Sequence, residues 1–106
     1  MQTEIKKFTR HITGDELIAA CDREGFPCQP RKYLEEGNDH IRFGFQHGRV
    51  YVTALYNTVN GRAFGEYHEP PKRKHSIGEP GVEFSTDDKL DGAPWFDALL
   101  SFLYVA

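Results

Sequence analysis

The chain has 106 residues, a net charge of −3 and no apolar run of transmembrane length. Thirteen per cent of its residues are aromatic, and a chain of this size can bury about two-thirds of its unfolded surface. The near balance of charge excludes a globally basic nucleic-acid-binding protein. The N-terminus lacks the apolar stretch of a signal peptide. We therefore expect one cytoplasmic domain over residues 1–106 with no membrane association.

Complete helix signals occur near the N-terminus. Thr13 and Glu16 have capping-box spacing, in which each side chain accepts a hydrogen bond from the other residue's backbone N–H. Gly25 is a typical left-handed helix end, and Pro27 prevents the helix from resuming. These signals predict a helix over about 14–24. Its buried stripe is predicted to hold Leu17, Ile18 and Cys21.

The cysteines and histidines do not have the spacing of a metal site. Cys21 and Cys28 form neither a CxxC pair nor a zinc motif with histidines, so we expect two free thiols in a reducing compartment. A disulfide between them is the alternative. No metal or other cofactor is expected. The histidines, all without ligand spacing, are His11, His40, His47, His68 and His75.

Residues 30–67 have the pattern of an antiparallel meander. A short strand is predicted over 31–35, and a second over 40–46, where apolar and polar residues alternate. His47-Gly48 is predicted to form the two-residue hairpin loop that follows. The resulting register pairs Phe45 with Val50, Phe43 with Val52 and Ile41 with Ala54.

Asn60-Gly61 is the strongest hairpin signal and predicts a type I′ turn that pairs Thr58 with Ala63. In this register the second face of the sheet also carries apolar side chains. That face is therefore covered, altered by a β-bulge, or used to bind a partner. The apolar residues assigned to it are Tyr51, Leu55, Val59 and Phe64.

Residues 68–81 are rich in proline and are predicted to form a polar loop, followed by a short edge strand at 82–85. The loop carries Lys72, Arg73 and Lys74, which are assigned to contact a phosphate or an acidic surface; a solvated loop tip is the alternative.

A C-terminal helix is predicted over about 94–105, with Pro94 in its first turn. This helix is apolar on nearly every side. One stripe is expected to pack on the sheet, and the other either joins the core or seals an interface. The first stripe is Trp95, Leu99 and Phe102; the second is Phe96, Leu100 and Leu103.

Together these elements predict an α+β fold: a single antiparallel sheet of three to five strands, an N-terminal helix on one face, and an apolar C-terminal helix. Charge is divided unevenly. Residues 1–74 hold 12 cationic and 10 anionic side chains, whereas residues 75–106 hold one and six.

This character favours a small non-enzymatic protein-binding or inhibitor module. A phage or mobile-element counter-defence protein of the anti-CRISPR type is one example. Such a protein would cover the nucleic-acid-binding surface of a protein partner, such as a nucleoprotein defence complex, without itself binding nucleic acid. The residues assigned to partner binding are Asp87, Asp88, Asp91, Tyr51, Leu55, Phe64, Trp95 and Phe102.

Two other hypotheses remain. A small nuclease or hydrolase would use His40, Arg42 and Glu66, which the predicted register places on one sheet face. A homodimeric accessory protein would associate through the C-terminal helix. Sedimentation of the wild type against Phe102→Asp would distinguish the homodimer.

Overall fold

The computed structural model describes residues 8–29, 39–69, 81–90 and 92–106. Within these ranges the chain forms two helices, a five-stranded antiparallel sheet and a separate two-stranded sheet, which confirms the predicted α+β class. The predicted strand at 31–35 lies outside the described residues. In chain order the elements are β1 (Arg10–His11), α1 (Gly14–Glu24), β2 (Cys28–Gln29), β3 (His40–His47), β4 (Val50–Asn57), β5 (Ala63–His68), β6 (Val82–Ser85), α2 (Pro94–Leu103) and β7 (Tyr104–Val105).

Helix α1 begins and ends as its sequence predicts. The Thr13 hydroxyl accepts from the Glu16 N–H, and the Glu16 carboxylate accepts from the Thr13 N–H, so the capping box is complete. Gly25 ends the helix in the left-handed conformation. The predicted stripe is right at Leu17 and Cys21, whereas Ala20 is buried in place of Ile18, which is half-buried.

The five strands are ordered β2-β3-β4-β5-β6, so each pairs with its neighbours in the chain. The first hairpin loop is Gly48-Arg49 rather than the predicted His47-Gly48. A glycine at the first of two loop positions needs a positive φ only there, and Gly48 has a φ of 61°. The predicted placement would have required a positive φ at His47. The observed pairs are Phe45 with Val52, Phe43 with Ala54 and Ile41 with Tyr56.

The second hairpin also differs from the prediction. Asn60 does not have a positive φ, so no type I′ turn forms, and β4 and β5 are joined by residues 58–62. The Asn57 side chain accepts from the N–H groups of Val59 and Asn60, which organises this longer loop. The observed register consequently pairs Tyr56, rather than Thr58, with Ala63.

Both register errors are shifts of two residues. Side chains alternate between faces with a period of two, so an even shift leaves every residue on its predicted face. For this reason the predicted apolar face is the observed one. It holds Ile41, Phe43, Phe45, Val52, Ala54 and Tyr56, all buried.

Both helices pack on this same apolar face. The buried cluster joins Leu17 and Cys21 of α1 to the sheet and to Trp95, Leu99 and Leu103 of α2. The second stripe of α2 is buried as well: Phe96, Leu100 and Leu103 are each at most 2% exposed. Both stripes are therefore used inside one chain. Of the residues described, neither helix is long and apolar enough to cross a membrane.

Helix α2 ends earlier than predicted. It stops at Leu103, and Tyr104–Val105 form β7, which pairs with β1 next to the start of α1. The Ile12 N–H donates to the Leu103 carbonyl and the Thr9 N–H to the Val105 carbonyl. A longer helix would have supplied backbone hydrogen-bond partners from within the helix. Here the carbonyl groups of Leu103 and Val105 are satisfied instead by N–H groups near the N-terminus.

Candidate functional site

The sheet face opposite the helices carries the candidate sites, and we call it the open face. In the described ranges no helix packs on it. Phe64 is 53% exposed there, and Leu55, its cross-strand partner, and Tyr51 are partly exposed. Of the predicted apolar set, Val59 instead lies in the β4–β5 loop, 66% exposed. The open face thus presents apolar and aromatic side chains to solvent, whereas the sequence pattern left open whether this face is covered.

A groove of about 690 Å³ crosses the open face between β5 and β6, and we call it the acidic groove. Phe64 forms an exposed aromatic wall. The ionisable residues that line it in the described part of the chain are Glu66, Glu83 and Asp88, all carboxylates. The remaining lining residues are Gly65, Phe84 and Ser85.

Glu66 and Glu83 lie directly opposite each other on β5 and β6. The Thr86 N–H donates to the Ala63 carbonyl at 2.9 Å, so these two residues are a hydrogen-bonded pair. Hydrogen-bonded and non-hydrogen-bonded pairs alternate along an antiparallel ladder, so Gly65 and Phe84 are the next hydrogen-bonded pair. Glu66 and Glu83 are therefore a non-hydrogen-bonded pair, in which Cα atoms approach to about 4.5 Å. Like charges at this spacing destabilise a sheet, and a cation between them would remove the repulsion.

Neighbouring groups partly organise the carboxylates. His68 Nε2 lies 3.7 Å from Glu66 Oε1, an ion pair only when the imidazole is protonated. Asp88 accepts from the Ser85 N–H at 2.7 Å, and this backbone group points away from β5. Asp88 therefore occupies part of the β6 edge that faces away from β5, which no other described strand pairs with.

The structure describes two of the three aspartates that were assigned to partner binding. Asp87 lies 3.4 Å from Arg62, and both side chains are more than half exposed. Asp88 lines the groove itself. Asp91 and the predicted anion-contacting residues Lys72, Arg73 and Lys74 lie outside the described residues.

Of the aromatic residues assigned to partner binding on the C-terminal helix, Trp95 is in the core and Phe102 packs against the core. Trp95 is 6% exposed and packs on Tyr67 and Phe84. Phe102 is half-buried against Phe26, Phe43 and Phe45, at ring-centroid distances of 5.8, 6.2 and 5.4 Å. Both side chains contact other residues of this chain, and their assignment to partner binding stays a prediction.

The three residues of the hydrolase hypothesis do not converge. His40 is opposite Asn57, with the ring Nε2 3.3 Å from the Asn57 amide, whereas Glu66 is opposite Thr53 on the other side of β4. Strand spacing and rise place the Cα atoms of His40 and Glu66 about 16 Å apart. Arg42, opposite Leu55, is about 12 Å from Glu66 by the same arithmetic. At these Cα separations the three residues lie on two strands that β4 separates, and the hydrolase hypothesis stays an untested prediction.

The cysteines are free thiols, as predicted. Cys21 is fully buried at the end of α1, and Cys28 in β2 is half-buried beside it. Burial raises the pKa of Cys21 to about 12 and also raises the pKa of Cys28. Both sulfurs are therefore protonated at neutral pH and are poor nucleophiles. In the described part of the chain no cluster of three metal-ligating side chains occurs.

Sequence reasoning missed Glu83 and the shape of the acidic groove. The alternation of residues 82–85 was the signal that could have identified Glu83, because it places Glu83 and Ser85 on the face opposite Phe84. Its position opposite Glu66 depends on the β5–β6 pairing across residues 69–81, which no local pattern specifies. Comparison with known proteins adds no further constraint, because no family model, curated protein or solved structure matches this chain.

Proposed function

We propose that this chain is a small protein-binding module that docks through the acidic groove onto a basic surface of a partner protein. One observation carries the proposal: the exposed Phe64 ring lines the same groove as three carboxylates. Aromatic side chains are enriched at protein interfaces, and carboxylates pair with arginine and lysine. The groove thus supplies both an apolar anchor and a charge complement.

The opposed glutamates favour a cationic partner in particular. Glu66 and Glu83 stand directly across from each other on neighbouring strands. A guanidinium group held between their carboxylates would be attracted to both. Phe64 beside them offers a ring for the same guanidinium to stack on. An arginine-rich surface is therefore the expected partner chemistry.

A nucleic-acid-binding protein presents such a surface in its binding groove. Occupation of that groove by this chain would exclude the nucleic acid, which is how an inhibitor of the counter-defence, anti-CRISPR type would act. Competition between the chain and nucleic acid for one partner is the expected signature. Simultaneous binding of both would contradict this inhibitory mode.

The test uses a fluorescent peptide of alternating arginine and alanine, titrated with the full chain at low and physiological salt. We expect saturable binding that weakens with salt. The double variant Glu66→Gln/Glu83→Gln should lose about tenfold in affinity or more. The matched control Asp22→Asn/Glu24→Gln removes the same charge from exposed positions of α1 and should bind as the wild type does.

Phe64→Ser separates the apolar anchor from the charge. We expect it to weaken peptide binding at every salt concentration while leaving the salt dependence unchanged, because the ring contributes contact area and the carboxylates contribute the field. Equal losses in the groove variant and the α1 control would show that only net charge matters and would overturn the proposal.

A further inference from the structure

Asn60-Gly61, the strongest hairpin signal of the sequence, forms no type I′ turn and lies in the loop that joins β4 to β5. An asparagine followed by glycine is chemically labile, because glycine places no side chain between its own nitrogen and the neighbouring amide. Asn60 is exposed, whereas Gly61 is buried. The two groups that would react therefore lie in different environments.

The reaction is deamidation, and it needs no reagent other than water. The Gly61 nitrogen loses its proton and forms a bond to Cγ of Asn60. The Cγ–Nδ2 bond breaks, and the side-chain nitrogen takes up a proton and leaves as ammonia. Water then opens the resulting cyclic imide at either carbonyl carbon, so that residue 60 becomes aspartate or isoaspartate. In isoaspartate the main chain runs through the former side chain and is longer.

The attacking nitrogen is held in place by contacts with distant segments. The buried Gly61 N–H donates to the Asn57 carbonyl at 2.8 Å, and the Tyr104 hydroxyl donates to the Gly61 carbonyl at 2.6 Å. The His11 ring fills the space in which a side chain of Gly61 would stand. While these contacts persist, the nitrogen neither gives its proton to solvent nor turns towards Cγ of Asn60.

The amide under attack is also hydrogen-bonded, with a second effect. Asn60 Oδ1 accepts from the Arg62 N–H at 2.9 Å. A donor at this oxygen would stabilise the negative charge that develops there during the attack. This assistance acts only after the Gly61 nitrogen has been released from Asn57. The hydrogen bond of Gly61 should therefore decide whether the folded loop slows or speeds the reaction.

We propose that Asn60 is a site of spontaneous deamidation that the folded β4–β5 loop keeps closed. Asn57 and Tyr104 are positioning residues, because both act by holding Gly61. The reaction then requires a local opening of the loop, and its rate falls in proportion to the fraction of molecules that are open. The site does not depend on the function proposed for the acidic groove.

The test compares the full chain with a synthetic peptide of residues 56–64 at mildly alkaline pH. Peptide mapping by mass spectrometry follows asparagine, aspartate and isoaspartate at position 60. We expect the folded chain to react about tenfold or more slowly than the peptide, and to reach the peptide's rate in denaturing urea. A folded chain that reacts as fast as the peptide, or faster, would overturn the proposal.

Variants identify the contacts that close the loop. Tyr104→Phe removes the donor to the Gly61 carbonyl and should speed deamidation about fivefold. Tyr67→Phe is the matched control: it removes a phenol hydroxyl near the far end of β5 and should keep the wild-type rate. Equal rates in the two variants would refute the role of Tyr104.

Asn57→Ala tests the loop from its other side. It removes the acceptor of the Val59 and Asn60 N–H groups and should also speed the reaction severalfold. Melting temperatures show whether either variant has lost global stability, and Tyr104→Phe keeps the ring and so remains informative if Asn57→Ala does not fold. An unchanged rate in a folded Asn57→Ala variant would contradict the proposal.

The product supplies an independent readout. Isoaspartate at position 60 lengthens the main chain just before Gly61, so the bonds of Gly61 to Asn57 and Tyr104 should not both form. We expect the purified isoaspartate form to melt below the unmodified chain, and the aspartate form to melt closer to it. Identical melting of the isoaspartate form and the unmodified chain would show that these bonds do not hold the loop.

Discussion

Gly65 lies in β5 where the backbone of β4 leaves no room for a side chain. A Cβ atom at this position would be 2.0 Å from the Thr53 carbonyl oxygen and 2.7 Å from the Ala54 Cα atom. Both are backbone atoms of a paired strand, so they cannot move without breaking the sheet. A glycine inside a strand often marks such a close approach.

Replacing this glycine should be more costly than replacing a turn glycine. We expect Gly65→Ala to lower the free energy of unfolding by about 3 kcal/mol, through overpacking against β4. Gly48→Ala is the control, because it meets no atom within 4 Å and bears only the cost of a positive φ. That cost is about 1 kcal/mol. Urea unfolding measures both, and a smaller effect for Gly65→Ala would contradict the packing argument.

At the scale of elements, the start of α1 is tied to β1 by an ion pair. The Arg10 guanidinium donates to both Glu16 carboxylate oxygens, at 2.8 and 3.0 Å, while Glu16 also completes the capping box. The Arg10 hydrogen bonds, followed by that of the Thr13 N–H, lower the pKa of Glu16 from its ordinary value near 4.5 to about 2. One side chain thus links strand and helix.

This link predicts an acid-dependent loss of stability. Because the folded-state pKa of Glu16 is lowered, its contribution is fully present above about pH 4.5 and is lost as the pH falls towards 2. Glu16→Gln keeps a capping acceptor but removes the charge, so its unfolding free energy should depend less on pH in that window. The pair is exposed, so added salt should shrink the difference. Parallel pH profiles of the two proteins would contradict the prediction.

The hairpins show which parts of an element its own sequence decides. Alternation along β3 and β4 was enough to place each side chain on its face, and Gly25 and Thr13 were enough to bound α1. The strand registers could not be predicted from these local patterns. They depend on the positive φ of Gly48 and on the hydrogen bonds that the Asn57 side chain accepts from the loop after it. A rule that assigns a hairpin turn from two residues takes neither into account.

For the molecule as a whole, the two faces of the sheet have opposite roles. The helix-covered face holds the buried core, and the open face holds the acidic groove. Tyr56 illustrates the first: it is fully buried, and its hydroxyl donates to the Ile12 carbonyl at the start of α1. Burial raises its pKa, so the phenol remains a donor throughout the physiological range.

Mutations should distinguish the two faces. We expect Phe102→Ala to lower the free energy of unfolding by about 2–4 kcal/mol, because it removes contacts with three phenylalanines, two of which are in the core. Phe64→Ala, on the open face, should cost less than about 1 kcal/mol, since its ring is half exposed. Chemical denaturation of both variants provides the comparison. A large loss for Phe64→Ala would make it a structural residue and weaken its assignment to binding.

The sequence by itself determined the α+β class, the bounds of α1, the apolar face of the sheet and the assignment of Phe64 to the opposite face. Each depends on a local period or a cap, and these survive a register shift of two residues. Tertiary structure decided the rest. Tyr104 and Val105 pair with β1 instead of extending α2, and both helices pack on the same face of the sheet. The pairing of β5 with β6 places Glu83 opposite Glu66. These contacts join residues distant in sequence, and no local propensity encodes them.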